Sequence, residues 1–508
     1  MVPETAAEAA TGTPSDRYRL RDGVRRRGDL LVALRPLTVS RLNGSGRAIA
    51  DALSRTSFAT PESLAAETGQ PVETVAPFLD RLQDRGFLDW RPGRDDSARP
   101  PVSVVVTVRN GSAHLEGCLD ALAALTYADY EVVLVDDGST DGTVEQAHSH
   151  RLSRTGTLRV IEVGAPEDPL GIGTSRNRGV DAATHDVVAF TDVDCRPSPT
   201  WLDDLVPYLA GADIVGGRVR PHGEACLSGY ERLHSSLDMG TRPGHVDPES
   251  GTPYLPTANL VASREVVETV EFPAQNVGED VDFCWHAVDA DFEVVYVPTG
   301  PVGHDYRRPL AAFSSRRADY GRSEALLSRP SPGGPAVPLP LPSGLLPVLV
   351  LSATVGSETW RLGALLLAVV VGTAIGTRDA LAYLGIRAAV PAGTYLGSRV
   401  RAGVSSVYAV ASETSRYYSL PLGTVACGCA LAGAATIATA IGVGLAFSIA
   451  YPTVIDYLVR RPGMSVARYV LLSVIDDLSY QVGAYRGALR YRSVGHLAPW
   501  NRFSVTLA

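Results

Sequence analysis

The 508-residue sequence contains no lysine; all 46 of its basic residues are arginine. That excludes Walker-type phosphate loops, Schiff-base lysines and protein-kinase chemistry, each of which needs a Lys ammonium. Phosphates must be met by Arg, backbone amides or a metal. Cysteine is scarce too: Cys118, Cys195, Cys226, Cys284, Cys427 and Cys429 stand singly, apart from one C-x-C in a very apolar stretch. No zinc spacing and no disulfide framework is visible, which fits a reducing compartment. An excess of positive charge is also missing, since the net charge is -9, and no nucleic-acid partner is expected. The opening MVPETAAEAATGTPSDRYRLRD lacks an apolar core of signal-peptide length. Residues 1–17 are therefore expected to be a disordered tail, and the first half of the chain to stay cytoplasmic.

What is present is 45% hydrophobic and 20% charged, enough for two to four packed units. Residues 18–92 read as a small winged-helix-like domain. A short strand at Leu30–Leu34 precedes helical periodicity in RLNGSGRAIADALSR, TPESLAAETG and VETVAPFLDRLQDRG, with Thr60 as an N-cap and Pro61 at the first helical position. Its acidic balance favours peptide recognition over DNA. Residues 93–101, rich in Pro and Arg, read as a linker. From residue 102 to about 330, the buried-strand runs VSVVVTV, YEVVLVDD, LRVIEVG, VVAFTDVD, ADIVGG and FEVVYVP alternate with helical stretches. This predicts one α/β nucleotide-binding domain of parallel strands with helical crossovers and a ligand at the strands' carboxyl ends. Residues 331–508 are apolar and predict a helical, membrane-associated region, with a buried soluble helical layer as the alternative. Between Arg416 and Asp456 no charged residue occurs, which allows one long span or a pair of short ones, since a span takes roughly 20 apolar residues. LPSGLLPVLVLSATVG and LGALLLAVVVGTAIGT are weaker candidates. The arginines of the connecting stretch and of the tail favour an even number of crossings.

Three acidic groups fall at strand ends or in nearby loops. Asp136 and Asp137 open DDGSTDG, which alone reads equally as turn and cap punctuation. Asp192 and Asp194, two residues apart at the end of a buried strand, can hold a hard divalent cation and leave sites for diphosphate oxygens. Glu279 and Asp280 open a helical segment, where a carboxylate serves as a general base or simply favours the helix N-terminus.

Taken in order, VSVVVTVRN, VVLVDDGSTDGT, GTSRNRGV, VVAFTDVDCRP, IVGGRV, PTANLVASREVV and VGEDVDFCWHA resemble the family 2 glycosyltransferases of the GT-A fold. The resemblance implies that Asp136 or Asp137 contacts the uracil of a UDP-sugar, with Thr107 and Arg109 also at the donor. It implies Arg176 near the diphosphate, Asp192 at ribose or metal-bound water, and Asp194 as ligand to Mg²⁺ or Mn²⁺. Asp280 is then the catalytic base, His304 a late metal ligand or an ordinary loop histidine, and Gly217, Asn259 and Glu279 acceptor residues. The Gln-x-x-Arg-Trp signature of processive synthases is missing. FSSRRADYG stands in its place, so processivity is not implied, although Arg316 and Arg317 could reach phosphate.

The N-terminal segments resemble the peptide-chaperone domain of pyrroloquinoline quinone biosynthesis. That domain ahead of a family 2 transferase with an apolar C-terminal region resembles the mycofactocin-system glycosyltransferases over nearly the whole chain. The implied reaction is inverting transfer of β-linked glucose from UDP-glucose to a peptide-derived redox cofactor or its precursor. A membrane enzyme acting on a polyprenyl phosphate or envelope glycan is the second expectation, and a peptide-binding adaptor with an inactive transferase domain the third.

Overall fold

The computed structural model describes residues 15–34, 36–223, 228–248, 252–274, 277–305, 309–327, 337–340, 358–498 and 503–506. Most of the expected tail and the run LPSGLLPVLVLSATVG lie outside them.

The N-terminal region carries strands β1 (Arg17–Leu20), β2 (Arg25–Arg27), β3 (Leu30–Leu34) and β4 (Leu37–Arg41), three helices and β5 (Leu88–Arg91). β1 pairs antiparallel with β5, and β2, β3 and β4 form an antiparallel meander. Local chemistry sets the helix ends. Asn43 caps Gly44–Leu53, Thr60 and Ser63 form a reciprocal capping box before Pro61–Thr68, and Gly69 closes that helix at φ 68. The third helix, Val72–Asp84, buries Val75, Leu79 and Leu82 along one face. This unit is held on two sides. Leu30 and Val32 of β3 pack on Ala389 and Val390 of the C-terminal region, and Trp90 lies 4.1 Å from the His245 ring. The segment read as a linker lies on the transferase core, with Asp95 N donating to the Pro207 carbonyl at 2.9 Å and Arg94 over the Tyr208 ring.

The next eleven strands are β6 (Val102–Val108), β7 (Tyr130–Asp137), β8 (Leu158–Gly164), β9 (Val187–Asp192), β10 (Cys195–Pro197), β11 (Ile214–Gly216), β12 (Val219–Pro221), β13 (Gly244–His245), β14 (Leu260–Ser263), β15 (Val294–Tyr296) and β16 (Val302–His304). Eight make the central sheet in the order β13-β15-β11-β14-β9-β6-β7-β8, and β10-β16-β12 form a smaller one. The α/β domain has the GT-A-like form. β9, β6, β7 and β8 run parallel, and β6, buried along its whole length, is central to that half. The expectation of unbroken parallel alternation is corrected on the other half. β14 lies antiparallel to both β9 and β11, because LVAS runs into the sheet straight from the turn Thr257–Asn259 rather than through a crossover helix.

After the helix Leu310–Leu327 come helices Glu358–Ile386, Ala392–Glu413, Ser419–Leu431, Ala435–Arg460 and Val466–Tyr491. Two stretches, Arg361–Ile386 and Ala435–Arg460, are long and apolar enough to cross a membrane and are mostly exposed. The uncharged run thus divides unequally, and the earlier LGALLLAVVVGTAIGT, read as a weak candidate, lies in one of the two. Ser419–Leu431 has 13 residues, about 20 Å at 1.5 Å per residue, too short for a bilayer core of about 30 Å. Val466–Tyr491 instead packs closely along Leu310–Leu327. A Cβ at Gly321 would overlap the Tyr480 carbonyl, and one at Gly483 the Ala318 carbonyl, so glycine on both helices sets the spacing.

Candidate active site

Strand register brings the acids together. Across the parallel sheet Thr107 of β6 pairs with Asp192 of β9, and Val108 with Asp136 of β7, so these groups share the carboxyl end of the sheet. In the smaller sheet Cys195 of β10 pairs with His304 of β16. That register sets His304 beside Asp194, with Nε2 3.5 Å from Oδ2.

The donor set divides by hydrogen-bond satisfaction. Asp136 Oδ2 accepts from Ser139 N at 2.9 Å, while its buried Oδ1 has no partner among the described residues. Asp137 accepts from Leu170 N at 2.7 Å and Gly171 N at 2.9 Å. Of the two carboxylates expected at the base, Asp137 is therefore occupied in holding the loop before the helix Ile172–Ala182, and the free oxygen belongs to Asp136. Thr107 is buried, and the exposed Arg109 donates to the Pro166 carbonyl at 3.0 Å.

Arg176, expected at the diphosphate, is buried on the helix Ile172–Ala182. Its guanidinium reaches Glu279 Oε1 at 2.7 Å and Asp192 Oδ1 at 3.0 Å and lies over the Phe272 ring. Its first task is to join these two acids, because a buried carboxylate needs a paired cation. Glu279 is thereby committed to Arg176. Asp280, the next residue, has no such clamp. Burial and then the Glu279 charge push its carboxyl up to about 7, against the opposing pull of Arg176. A carboxylate poised there is suited to take a proton near neutral pH.

The two remaining acceptor candidates are corrected. Asn259 is fully buried; its side-chain amide donates to the Arg218 and Gly300 carbonyls, and its oxygen accepts from Trp201 Nε1 at 2.7 Å. With both ends used inside the protein, it ties β12 to the turn after β15. Gly217 donates to the Asn259 carbonyl at 3.0 Å, and a Cβ there would collide with the Asn259 amide. Both residues are structural supports of the sheet junction.

A divalent cation fits Asp194 and His304, a carboxylate and an imidazole within 4.8 Å of each other and of Cys195 Sγ. Burial and the charges of Asp194 and Asp192 push the Cys195 thiol well up, so it stays protonated and is a poor ligand for a hard cation. The same cavity wall contains Arg316, Tyr320 and Glu231. Arg316 feels the charges of Glu279 and Asp192. Arg317, one residue on, lines the same cavity but pairs with Asp476 at 3.1 Å. Glu231, in the unremarkable segment GYERLH, carries no motif that would have singled it out.

Residues 103–270 match the family described as Glycosyl transferase family 2. The chain is 30% identical over 443 residues to the pre-mycofactocin glycosyltransferase of Mycobacterium tuberculosis, covering 84% of this chain and 87% of that protein. It is 30% identical to the glycosyltransferase AglE of Haloferax volcanii over 45% of this chain and 74% of the relative. Among solved structures it is similar to a mannosyltransferase of Pyrobaculum calidifontis in complex with GDP-mannose and Mn²⁺. That likeness has 18% identity and a TM-score of 0.40, over 76% of this chain and 89% of the other.

Proposed function

The chain belongs to the family of the pre-mycofactocin glycosyltransferases, and from that membership we propose that it transfers glucose from UDP-glucose, with inversion, to a hydroxyl of a ribosomal-peptide-derived redox cofactor or its precursor. The observation that carries the chemistry is the contrast between the adjacent acids Glu279, paired with Arg176, and Asp280, unpaired and shifted upward. Asp280 takes the acceptor hydroxyl's proton as the oxygen attacks C1, and a single displacement inverts the anomeric centre. Asp136 Oδ1 accepts the uracil N–H. Arg316 faces the charge that develops on the leaving diphosphate, and the Arg176 clamp keeps Asp192 and Glu279 from drifting into that region. Asp194 and His304 would hold Mn²⁺ or Mg²⁺, which when bound neutralises diphosphate charge. The N-terminal unit captures the peptide-derived acceptor, and residues 361–386 and 435–460 seat the enzyme on the membrane with the catalytic domain cytoplasmic.

The reading is tested by incubating purified protein with UDP-glucose, Mn²⁺ and the peptide-derived acceptor. Mass spectrometry should find added hexose and NMR a β-linkage; a retained α-anomer would reject single displacement. The two apolar helices favour a second reading, transfer to a polyprenyl phosphate, which the same assay separates by product.

A further inference from the structure

The cavity that contains Asp194 and His304 is lined on another side by Glu231 of the helix Ser228–His234, together with Ser235 and Phe313. Glu231 is 7% exposed, and its Oε2 is buried with no hydrogen-bond partner among the described residues. The Arg317 charge relieves it only from a distance. Arg317 spends its guanidinium on Asp476 at 3.1 Å and on the His234 carbonyl at 3.0 Å. Nor can the helix readily turn Glu231 to water. The flanking Tyr230 donates to Asp476 at 3.1 Å, and His234 is hydrogen-bonded to the Tyr469 hydroxyl at 2.7 Å. Met464 lies against Gly229. The C-terminal helices thus hold an unsatisfied acid in the wall of the transferase cavity, a costly arrangement that calls for a partner.

We infer that Glu231 selects the acceptor class: its carboxylate accepts hydrogen bonds from the hydroxyls of a neutral acceptor and repels one whose nucleophile is a phosphate. The inference rests on the proposed transferase reading and deepens it. Arg316, which lines the same cavity, would by itself welcome any anion. In its ionised form Glu231 sets a negative charge against it, so the donor diphosphate, with its cation, is admitted while a second phosphate entering beside it is not. Burial raises the Glu231 carboxyl to about 7, and in its protonated form it remains a hydroxyl partner.

The test uses the full-length protein and two minimal probes, methyl β-glucoside for a hydroxyl acceptor and inorganic phosphate for an anionic one. Glu231→Gln should raise the KM for the glucoside about tenfold with a much smaller change in kcat, and tighten phosphate binding, measured by calorimetry in the presence of UDP and Mn²⁺, at least about fivefold. Glu231→Asp should restore wild-type phosphate exclusion. Unchanged phosphate affinity in a folded Glu231→Gln protein overturns the inference, and so does a wild-type enzyme that already binds phosphate as tightly as the variant. The phosphate arm needs no sugar transfer. It therefore decides the inference even if UDP-glucose proves to be the wrong donor, an outcome that counts against the proposed function alone.

Discussion

The carboxyl ends of β6, β7 and β9 and the wall formed by residues 228–234 and 310–327, backed by 466–491, are built on opposite terms. On the strand side each acid has an assigned partner: Asp137 holds two loop amides, and Asp192 and Glu279 share Arg176. Asp136 Oδ1, without a hydrogen-bond partner among the described residues, and Asp280, which accepts from Val281 N but has no Arg clamp like that of Glu279, are the ones with chemistry to do. On the helical side the partners are spent on docking, through Arg317 with Asp476, Arg416 with Asp477, and Glu324 with Tyr417 and Tyr480. Glu231 lines the cavity with a buried Oε2 that has no hydrogen-bond partner among the described residues. The difference teaches that hydrogen-bond satisfaction separates scaffold from site better than residue type, since both regions are rich in Asp, Glu and Arg.

Five experiments break or sharpen that contrast, beginning with the largest effect. Asp280→Asn keeps the shape and removes the base, so kcat should fall by roughly 10²- to 10⁴-fold with UDP-glucose affinity nearly kept. Turnover at the wild-type rate under saturating donor and acceptor would move the base to another group. Because Asp280 must be ionised to act and its carboxyl sits near 7, kcat/KM should fall about tenfold per pH unit below that point and level off above it. A pH profile flat down to pH 5 contradicts the assignment.

Asp194→Ala should lower transfer roughly 10²- to 10³-fold and weaken UDP binding in Mn²⁺ but not in chelator. Full turnover in excess chelator would remove the cation from the proposed reaction. Arg176→Met leaves the buried Glu279 and the half-buried Asp192 without their cation, at a cost of about 3–5 kcal/mol in stability read from denaturant unfolding. A loss under about 1 kcal/mol would mean that solvent reaches the clamp. The smallest effect concerns the N-terminal unit. Deleting residues 1–91 should raise the KM for the peptide-derived acceptor about tenfold while metal-dependent UDP-sugar hydrolysis persists. Equal loss of both in the truncated protein assigns the unit a structural role, consistent with its packing on Ala389, Val390 and His245.

The legibility of the chain followed the range of the interactions involved. The capping box at Thr60, the uniformly buried β6 and the ends of β7 and β9 depend on near neighbours and on burial, and their residues carry period and punctuation. β14 was obscured because its four residues sit next to a turn without a crossover helix, and its direction is set by pairing with β9 and β11. The roles of Asn259 and Gly217 could not be read locally, for their partners lie on Trp201, Arg218 and Gly300. Likewise the adjacent pairs Asp136 and Asp137, and Glu279 and Asp280, are alike as sequence.

By itself the sequence determined the main buried strands and several helices, that the C-terminal region is apolar enough for membrane spans whose number it left open, and that acids gather at the strand ends. Periodicity, capping and composition act over a few residues and leave their mark there. Only the tertiary structure decided which acid of each pair the Arg176 clamp and the loop amides occupy, that His304 stands 3.5 Å from Asp194, and that Glu231 Oε2 has no hydrogen-bond partner among the described residues. Those outcomes depend on strand register, on glycine-spaced helix contact and on the loss of water around particular atoms. Each is a property of surfaces brought together from distant parts of the chain.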